Sequence, residues 1–171
     1  MDSRFLISPH HQRQYLDYYT SRTFVSKPSG WLPTIEALAA QFDCQTILDY
    51  GCGVNRGLSR FSKLAIADYD PGVEECAAMP QPADLVVCIH TLEHAEPRYV
   101  DAVLADLKLL ARKVLFLVVC CEDSTKLLPD GSPWHSFVRD ATWWQLRLPE
   151  FTPQPVRHTR PGAEYAAMLV K

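Results

Sequence analysis

The stretch from Thr46 to Phe61, TILDYGCGVNRGLSRF, constrains the fold of this chain more than any other segment. It predicts a buried strand, a turn with glycines at positions 51 and 53, and a helix over NRGLSRF. Glycine lets the backbone pass close to a ligand, and the N-terminus of a helix offers free N–H groups. The stretch therefore predicts a strand–turn–helix unit that holds a cofactor.

Strands and helices alternate along the rest of the chain. Buried strands are predicted over three more segments: KLAIADY, DLVVCI and VLFLVVC. Helices are predicted at four further places: residues 11–20, from Pro33, from Pro97, and after a capping Asp140. The helix from Pro97 has an apolar stripe and ends with Arg112 and Lys113, cations that suit its C-terminal dipole. This alternation predicts a parallel sheet with right-handed crossovers.

The expected fold class is α/β: a Rossmann-like, mostly parallel twisted sheet with helices on both faces. The end of the chain, EFTPQPVRHTRPGAEYAAMLVK, predicts a C-terminal antiparallel hairpin. Segment 71–83 is too short for a full helix and strand. We expect residues 1–30 to form an N-terminal extension and residues 31–171 to form a single domain.

Two acids flank the glycine turn. Asp70 follows the second predicted strand, 19 residues after Gly51, where a carboxylate can bind ribose hydroxyls. Asp49 lies two residues before Gly51. It would repel the pyrophosphate of a dinucleotide, whereas it would attract the ammonium and sulfonium of S-adenosylmethionine. We therefore expect S-adenosylmethionine as the cofactor, with NAD as the poorer alternative.

Three segments together resemble a known family. ILDYGCG resembles motif I of the class I S-adenosylmethionine-dependent methyltransferases, and DYDPG resembles their ribose-binding second motif. ADLVVCIHTLEH is similar to their fourth-strand segment, D-L-V-x-x-x-x-x-L-E-H. With LPDG…H…WW further on, the chain resembles short methyltransferase-like proteins encoded by bacteriophages and bacteria, over residues 30–171.

The resemblance implies a sheet of seven strands, or six if segment 71–83 supplies none, ending in a reversed hairpin. It implies cofactor contacts from six residues: Asp49, Gly51, Gly53, Asn55, Asp70 and His90. Asn55 stands where the family has a further glycine, and asparagine adopts left-handed backbone geometry more readily than most residues. The acid that often reads the adenine amino group has no counterpart, so backbone groups near Met79 to Gln81 are expected to replace it.

Methyl transfer is an in-line displacement in which an enzyme mainly holds the acceptor atom about 3 Å from the methyl carbon. A general base is needed when the acceptor is a hydroxyl. Three candidates for catalytic residues follow predicted strands: His135, Glu93 and His94. Alternatively, Glu93 and His94 cap the next helix and shape the pocket wall, while His135 makes a structural hydrogen bond in its loop.

The segment HTLEH has the pattern H-x-x-E-H and, with His135, offers three imidazoles and a carboxylate. It begins at a strand end, which argues against an inverted zinc-protease motif, since that motif lies on a helix. Enzymes that methylate the terminal ribose of small RNAs carry a similar E-x-x-E-H and a distant His that bind a divalent ion; His90 replaces their first Glu. Because LEH also occurs in metal-free relatives, we expect no metal.

Aromatic residues mark two other places. One of Trp143 and Trp144 is expected to pack on the sheet, and the other either joins it or faces the acceptor pocket. The N-terminal extension carries four aromatic residues: Tyr15, Tyr18, Tyr19 and Phe24. Such an extension either covers the cofactor as a lid or packs on the surface.

Composition limits which binding partners and which cellular compartment are expected. A net charge of −3 gives no electrostatic footprint for duplex nucleic acid, and the longest basic cluster, Arg157, His158 and Arg160, is small. No apolar run reaches the roughly 18 residues of a membrane helix, and the first residues lack a signal peptide's apolar core. Six cysteines without a CxxC pair indicate free thiols in a reducing cytoplasm.

Motifs for base methylation are absent as well: no [DNS]-P-P-[YF] follows the fourth strand, and no Pro-Cys nucleophile is present there. The sequence therefore predicts a methyltransferase (EC 2.1.1.-) that acts on an oxygen or nitrogen atom of a small-molecule, glycan or nucleotide acceptor. The alternatives are a non-catalytic S-adenosylmethionine-binding protein, favoured by Asn55 and the short segment 71–83, and a metal-assisted RNA ribose 2'-O-methyltransferase. Nucleic acid as a partner and the oligomeric state stay open.

Overall fold

The computed structural model describes residues 6–22, 29–156 and 162–171. Six strands form one sheet in the order β2-β1-β3-β4-β6-β5. Their bounds are β1 Ile47–Tyr50, β2 Ile66–Tyr69, β3 Ala83–Ile89, β4 Ala111–Cys120, β5 Thr152–Gln154 and β6 Glu164–Val170. The first four strands pair in parallel, whereas β6 runs antiparallel to both β4 and β5. The described sheet is therefore mixed and has six strands, not seven.

Helices cover both faces of the sheet, as predicted. The four α-helices are α1 Pro9–Thr20, α2 Leu32–Gln41, α3 Val100–Leu110 and α4 Ala141–Arg147. The predicted stripe of α3 is buried against one face: Val100, Val103, Leu104, Leu107 and Leu110. Helix α2 buries Ile35, Leu38 and Ala39 against the opposite face. Strands with apolar side chains on both faces are typical of a parallel sheet enclosed between helices.

The prediction of a helix after the glycine turn is wrong. Residues 53–61 form successive turns, in which only some backbone groups make helix-like bonds, such as Ser62 N to Leu58 O at 2.9 Å. Arg56 has a φ of 46°, in the left-handed region, and such a residue cannot continue a right-handed helix. The glycine turn is consequently followed by a compact loop, without a helix N-terminus.

The boundary between α3 and β4 also differs from the prediction. Helix α3 ends at Leu110, and β4 begins at Ala111, so Arg112 and Lys113 belong to the strand instead of the helix end. Ala111 pairs with Ala83 of β3, and the carbonyl of Lys113 accepts the backbone N–H of Lys171 at 2.8 Å. Strand pairing on both sides thus takes these residues into the sheet.

Segment 71–83 contains a single 3-10 turn, Glu74–Cys76, before β3 begins at its last residue, Ala83. The prediction that it is too short for a full helix and strand is confirmed, and β2 therefore forms one edge of the sheet. The loop over 121–139 and the cap of α4 are confirmed too, because the Asp140 side chain accepts the N–H of Trp143 at 2.7 Å.

Several other predictions concern the termini and the thiols. Residues 157–161, which include part of the turn predicted for the C-terminal hairpin, lie outside the described residues, as does Phe24. All six cysteines are free. Within the described ranges, every helix is too short or too polar to cross a membrane.

Candidate cofactor and acceptor site

A cleft opens where β1 and β3 end, and its empty volume, with its mouth, is about 760 Å³. The glycine turn, the segment after β3 and α1 all line the cleft, and α1 contributes Tyr15 and Tyr19. Concave sites lined by aromatic side chains and a few polar groups are typical of small-molecule and cofactor sites. The cleft also lies at the carboxyl ends of strands, which is where open α/β sheets bind ligands.

The glycine turn is fixed by backbone conformation and by a close neighbour. Gly51 has a φ of 84° and Gly53 a φ of 58°, values that favour glycine. A Cβ at position 51 would lie 2.2 Å from Oγ1 of Thr91, the residue that follows His90. The N–H of Gly51 also donates to the carbonyl of Tyr69 at 2.7 Å. The turn is therefore pressed between the ends of β2 and β3.

Asp70 connects β2 to this turn. Its Oδ2 accepts the N–H of Gly53 at 3.0 Å, and its Oδ1 accepts the N–H of Gly72 at 2.8 Å. Burial raises the pKa of Asp70, and the two N–H donors oppose that rise. Each carboxylate oxygen keeps a further lone pair for a ligand, since an ionised carboxylate has about four acceptor sites.

Asp49 and Asp68 lie side by side on β1 and β2. Burial raises the pKa of Asp49 to about 8, and the charges of Asp68 and Asp70 add to the effect. The hydroxyl of Ser59 donates to Oδ2 of Asp68 at 2.7 Å, while Oδ1 of Asp68 is buried without a hydrogen-bond partner among the described residues. Three carboxyl groups thus lie beside the turn, and a cationic ligand group bound there would favour their ionised forms.

His90 lies between two buried acids. Its Nδ1 is 3.3 Å from Oε1 of Glu93, and its Nε2 is 3.0 Å from Oε1 of Glu164. Burial lowers the pKa of His90, but the hydrogen bonds and charges of Glu93 and Glu164 outweigh it, so the pKa is raised. The residue also has a φ of 52°, a strained conformation for a non-glycine residue. These partners favour the protonated form of the ring at the wall of the cleft.

His94 presents a defined tautomer. Its Nδ1 lies 2.9 Å from the carbonyl oxygen of Trp134, and because a carbonyl only accepts, Nδ1 carries the proton. Burial lowers the pKa of His94, which favours the neutral ring. Its Nε2 therefore carries a lone pair, and the side chain lines the cleft.

Helix α1 contacts the cleft through its side chains. His11 Nε2 donates to the carbonyl of His94 at 2.9 Å, and Gln12 Nε2 donates to the carbonyl of Pro71 at 2.6 Å. The Tyr15 hydroxyl donates to the carbonyl of Trp134 at 3.0 Å. Tyr15 and Tyr18 also pack with Trp134 and Leu128 of the loop after β4. The N-terminal extension thus joins the end of β2 to that loop.

The predicted site residues fall into two groups. Five line the cleft: Gly51, Gly53, Asp70, His90 and His94. The other four are not among the described residues that line it: Asp49, Asn55, Glu93 and His135. Of the tryptophan pair, Trp144 is fully buried in the core, and Trp143 packs partly against it.

Glu93 and His135 come together behind the cleft wall with a residue that the sequence did not indicate, Cys120. One ligand atom from each lies within 4.8 Å of the other two, a spacing from which a metal ion could be held. Cys120 ends β4 and has no motif around it, so only the parallel pairing of β3 with β4 could have suggested its place. Asp68 was missed as well, although its position in IADYD, opposite Asp49, was a usable signal.

In sequence, the chain matches no protein-family model and no curated protein. Its structure is similar to that of DhpI in complex with SAH: the TM-score is 0.63 and the identity 19%, over 96% of this chain and 98% of that one. It is also similar to a Burkholderia thailandensis 1,6-didemethyltoxoflavin-N1-methyltransferase with bound S-adenosylhomocysteine (TM-score 0.59, identity 17%, coverage 96% and 91%). A third similar structure is magnesium protoporphyrin IX methyltransferase from Synechocystis PCC 6803 with bound SAH (0.56, 15%, 82% and 81%). At these identities the similarity shows a shared Rossmann-like fold.

Proposed function

We propose that this protein is an S-adenosylmethionine-dependent methyltransferase that acts on an oxygen or nitrogen atom of a small-molecule acceptor. The observation that carries the proposal is the acidic region of Asp49, Asp68 and Asp70 beside the glycine turn. The fold shared with two methyltransferases of small molecules supports it. All three neighbours described above were crystallised with SAH.

The residues present fit this cofactor. Its ammonium and sulfonium groups would neutralise carboxylates whose mutual repulsion and burial otherwise disfavour ionisation. Gly51 and Gly53 have positive φ values, which favour glycine. Because glycine has no side chain, the backbone of the turn is open to the cleft at both positions. Asp70, with spare lone pairs at the end of β2, is the residue that we propose for the ribose hydroxyls. Asn55 lies outside the cleft lining, so we propose only an indirect role for it.

When bound, S-adenosylmethionine supplies an electrophilic methyl group on a sulfonium. The acceptor's lone pair forms the new bond to the methyl carbon as the S–CH3 bond breaks, and the acceptor then loses its proton. We propose that His94 accepts that proton at Nε2; the hydrogen bond from its Nδ1 to the carbonyl of Trp134, which leaves the lone pair on Nε2, supports this role. His90 would orient the acceptor from the wall that it shares with His94.

We propose that α1 acts as the lid of this cleft. Its tyrosines line the cleft together with the glycine turn, and its side chains donate hydrogen bonds to the carbonyls of Pro71 and His94. A lid of this kind excludes water from the reacting atoms.

The test is release of S-adenosylhomocysteine from S-adenosylmethionine, measured by mass spectrometry with a panel of small hydroxyl and amine acceptors. We expect release with at least one acceptor class and a strong reduction in the Asp70→Asn variant. The control is Asp101→Asn, which removes a charge from an exposed residue on α3. The proposal would be overturned if calorimetry detected no binding of S-adenosylmethionine and no acceptor gave release of S-adenosylhomocysteine.

A second candidate function is a non-catalytic protein that binds S-adenosylmethionine. It is favoured by the loop that replaces the helix after the glycine turn and by the short segment 71–83. Both features remove backbone that a complete site would use to hold the nucleoside. Tight binding of both S-adenosylmethionine and S-adenosylhomocysteine, without product release from any acceptor, would favour this candidate.

A further inference from the structure

We infer that Glu93, Cys120 and His135 form a binding site for a divalent transition-metal ion of the zinc class. Their three candidate ligand atoms lie within 4.8 Å of one another. In a tetrahedral site with metal–ligand bonds of about 2.0–2.3 Å, ligand atoms are separated by roughly 3.3–3.8 Å, so a small inward movement closes the group. The inference concerns metal binding itself and does not depend on methyl transfer.

The carboxylate of Glu93 has one oxygen that the fold leaves unused. Oε1 accepts the backbone N–H of Cys120 at 3.2 Å and lies 3.3 Å from His90 Nδ1. Oε2 is buried without a hydrogen-bond partner among the described residues, and the whole residue is only 1% exposed. Burying such an atom without a partner is unfavourable, and more so when the group is charged. A bound cation would remove this cost.

The imidazole of His135 is already oriented for a metal. Its Nδ1 lies 2.6 Å from the carbonyl oxygen of Glu122, and since a carbonyl only accepts, the proton is on Nδ1. The lone pair is therefore on Nε2. Histidine ligands of metals generally donate their other ring N–H in this way, to a carbonyl or a carboxylate.

The thiol of Cys120 determines the class of ion. It lies at the end of β4, where its backbone N–H donates to Glu93 and its thiol donates to the carbonyl of Glu122 at 3.8 Å. Burial and the nearby carboxylates raise the pKa of the thiol, whereas a coordinated dication favours the thiolate. A cysteine with an imidazole suits zinc or cobalt, whereas magnesium and calcium require oxygen ligands. The acidic surroundings attract a dication, and the partial exposure of Cys120 and His135 provides a path for entry.

This group differs from the one that the H-x-x-E-H spacing suggested. Both ring nitrogens of His90 contact carboxylates, of Glu93 and Glu164. His94 lies beside His135, with ring centroids 5.0 Å apart, but does not belong to the group of three. Three protein ligands leave a zinc-class ion with one open position, for water or another small ligand.

The test uses the full chain, purified in reductant and freed of metal. Zn²⁺ is titrated against a chromophoric chelator, and Co²⁺ binding is followed by its thiolate charge-transfer absorption. We expect one ion per chain. The Cys120→Ser variant should lose the charge-transfer band and bind Zn²⁺ more weakly, by more than the roughly 10- to 100-fold that loss of an outer-shell group costs. His135→Gln should weaken binding to a similar extent.

The matched control is Cys121→Ser. Cys121 is the next residue along the chain, but it does not belong to the group of three and packs against the core, where its thiol donates to the carbonyl of Val119. We expect this variant to keep the affinity and the cobalt spectrum of the wild type, and circular dichroism should show that all variants are folded. Equal affinities for the wild type and Cys120→Ser, or a Co²⁺ complex without thiolate absorption, would overturn the inference. Binding of S-adenosylmethionine by Cys120→Ser, measured separately, distinguishes this failure from failure of the proposed function.

Discussion

Oδ2 of Asp70 accepts the backbone N–H of Gly53 at 3.0 Å and so connects the end of β2 to the turn that follows β1. One side chain thereby sets the shape of the glycine turn and stands at the cleft. This bond adds to the backbone hydrogen bonds from Gly51 and Cys52 to the carbonyl of Tyr69.

Asp70→Asn is expected to weaken the binding of S-adenosylmethionine by about 10- to 100-fold, since hydrogen bonds to charged groups contribute about 1.5–3 kcal/mol. An amide offers one acceptor oxygen where the carboxylate serves both Gly53 and Gly72. Calorimetric titration measures the change, with the exposed Asp101→Asn as control. Equal affinities for the two variants would contradict the prediction.

Binding of S-adenosylmethionine at pH 7 should release protons. The pKa of Asp49 is about 8 in the free protein, so its carboxyl group is mostly protonated at pH 7. A cation nearby lowers that pKa and expels the proton. Titrations in two buffers with different ionisation enthalpies give the number of protons released, and Asp49→Asn should reduce it. An unchanged number in the variant would count against Asp49 as the responsible group.

The stability of the free protein should fall as the pH rises from about 4 to about 8. In this window the unfolded Asp49 has lost its proton, because its ordinary pKa is 3.8, whereas the folded form keeps it until about 8. Folding therefore binds a proton, and each unit of raised pKa corresponds to about 1.4 kcal/mol. Urea unfolding at pH 5 and pH 8 measures the decline. Asp49→Asn resembles the protonated acid and should show a smaller decline than the wild type; an equal decline would refute this assignment.

Gly51→Ala should be much more destabilising than Gly131→Ala. Both glycines have a φ near 84°, so both substitutions carry a backbone cost of about 1–2 kcal/mol. Only at position 51 would the new Cβ meet Thr91, at 2.2 Å, whereas position 131 is open. Chemical denaturation gives both free energies of unfolding. Similar losses would show that Thr91 moves away without cost.

Tyr15→Phe should destabilise the protein by about 1 kcal/mol, because it removes the hydrogen bond from α1 to the carbonyl of Trp134. Amides of α1 should then exchange hydrogen faster. The comparison variant is Tyr165→Phe, whose hydroxyl is buried without a partner among the described residues. Removing that hydroxyl should be neutral or stabilising. The reverse order of stabilities would contradict both hydrogen-bond assignments.

Local sequence patterns were sufficient for most elements and insufficient for the contacts that build the site. The apolar runs of β1, β3 and β4 and the stripe of α3 determine which surfaces must be buried, and these predictions are confirmed. The helix after the glycine turn failed because its periodicity did not reveal the left-handed Arg56. Likewise, Arg112 and Lys113 resemble a helix end, but pairing with β3 and β6 places them in β4.

The candidate site shows the same division. Gly51, Gly53 and Asp70 belong to a contiguous motif, so the sequence could place them at the cleft. Cys120 and Glu164 come from β4 and β6, distant in sequence from the HTLEH segment that they approach. No local pattern encodes such a meeting, because it depends on how the strands are ordered in the sheet. Asp49 lies beside the turn, but its side chain is buried outside the cleft lining, and burial favours its protonated form.

The attachment of α1 has a consequence for the rate of ligand exchange. Its described contacts with the cleft are side-chain hydrogen bonds and ring packing, and it shares no strand pairing with the sheet. Detaching α1 would break a few such bonds and leave intact the sheet and the buried apolar clusters on its two faces. The free energy of this local opening is therefore lower than that of global unfolding. We therefore expect the rate at which α1 detaches to limit both the release of S-adenosylhomocysteine and the entry of bulky acceptors.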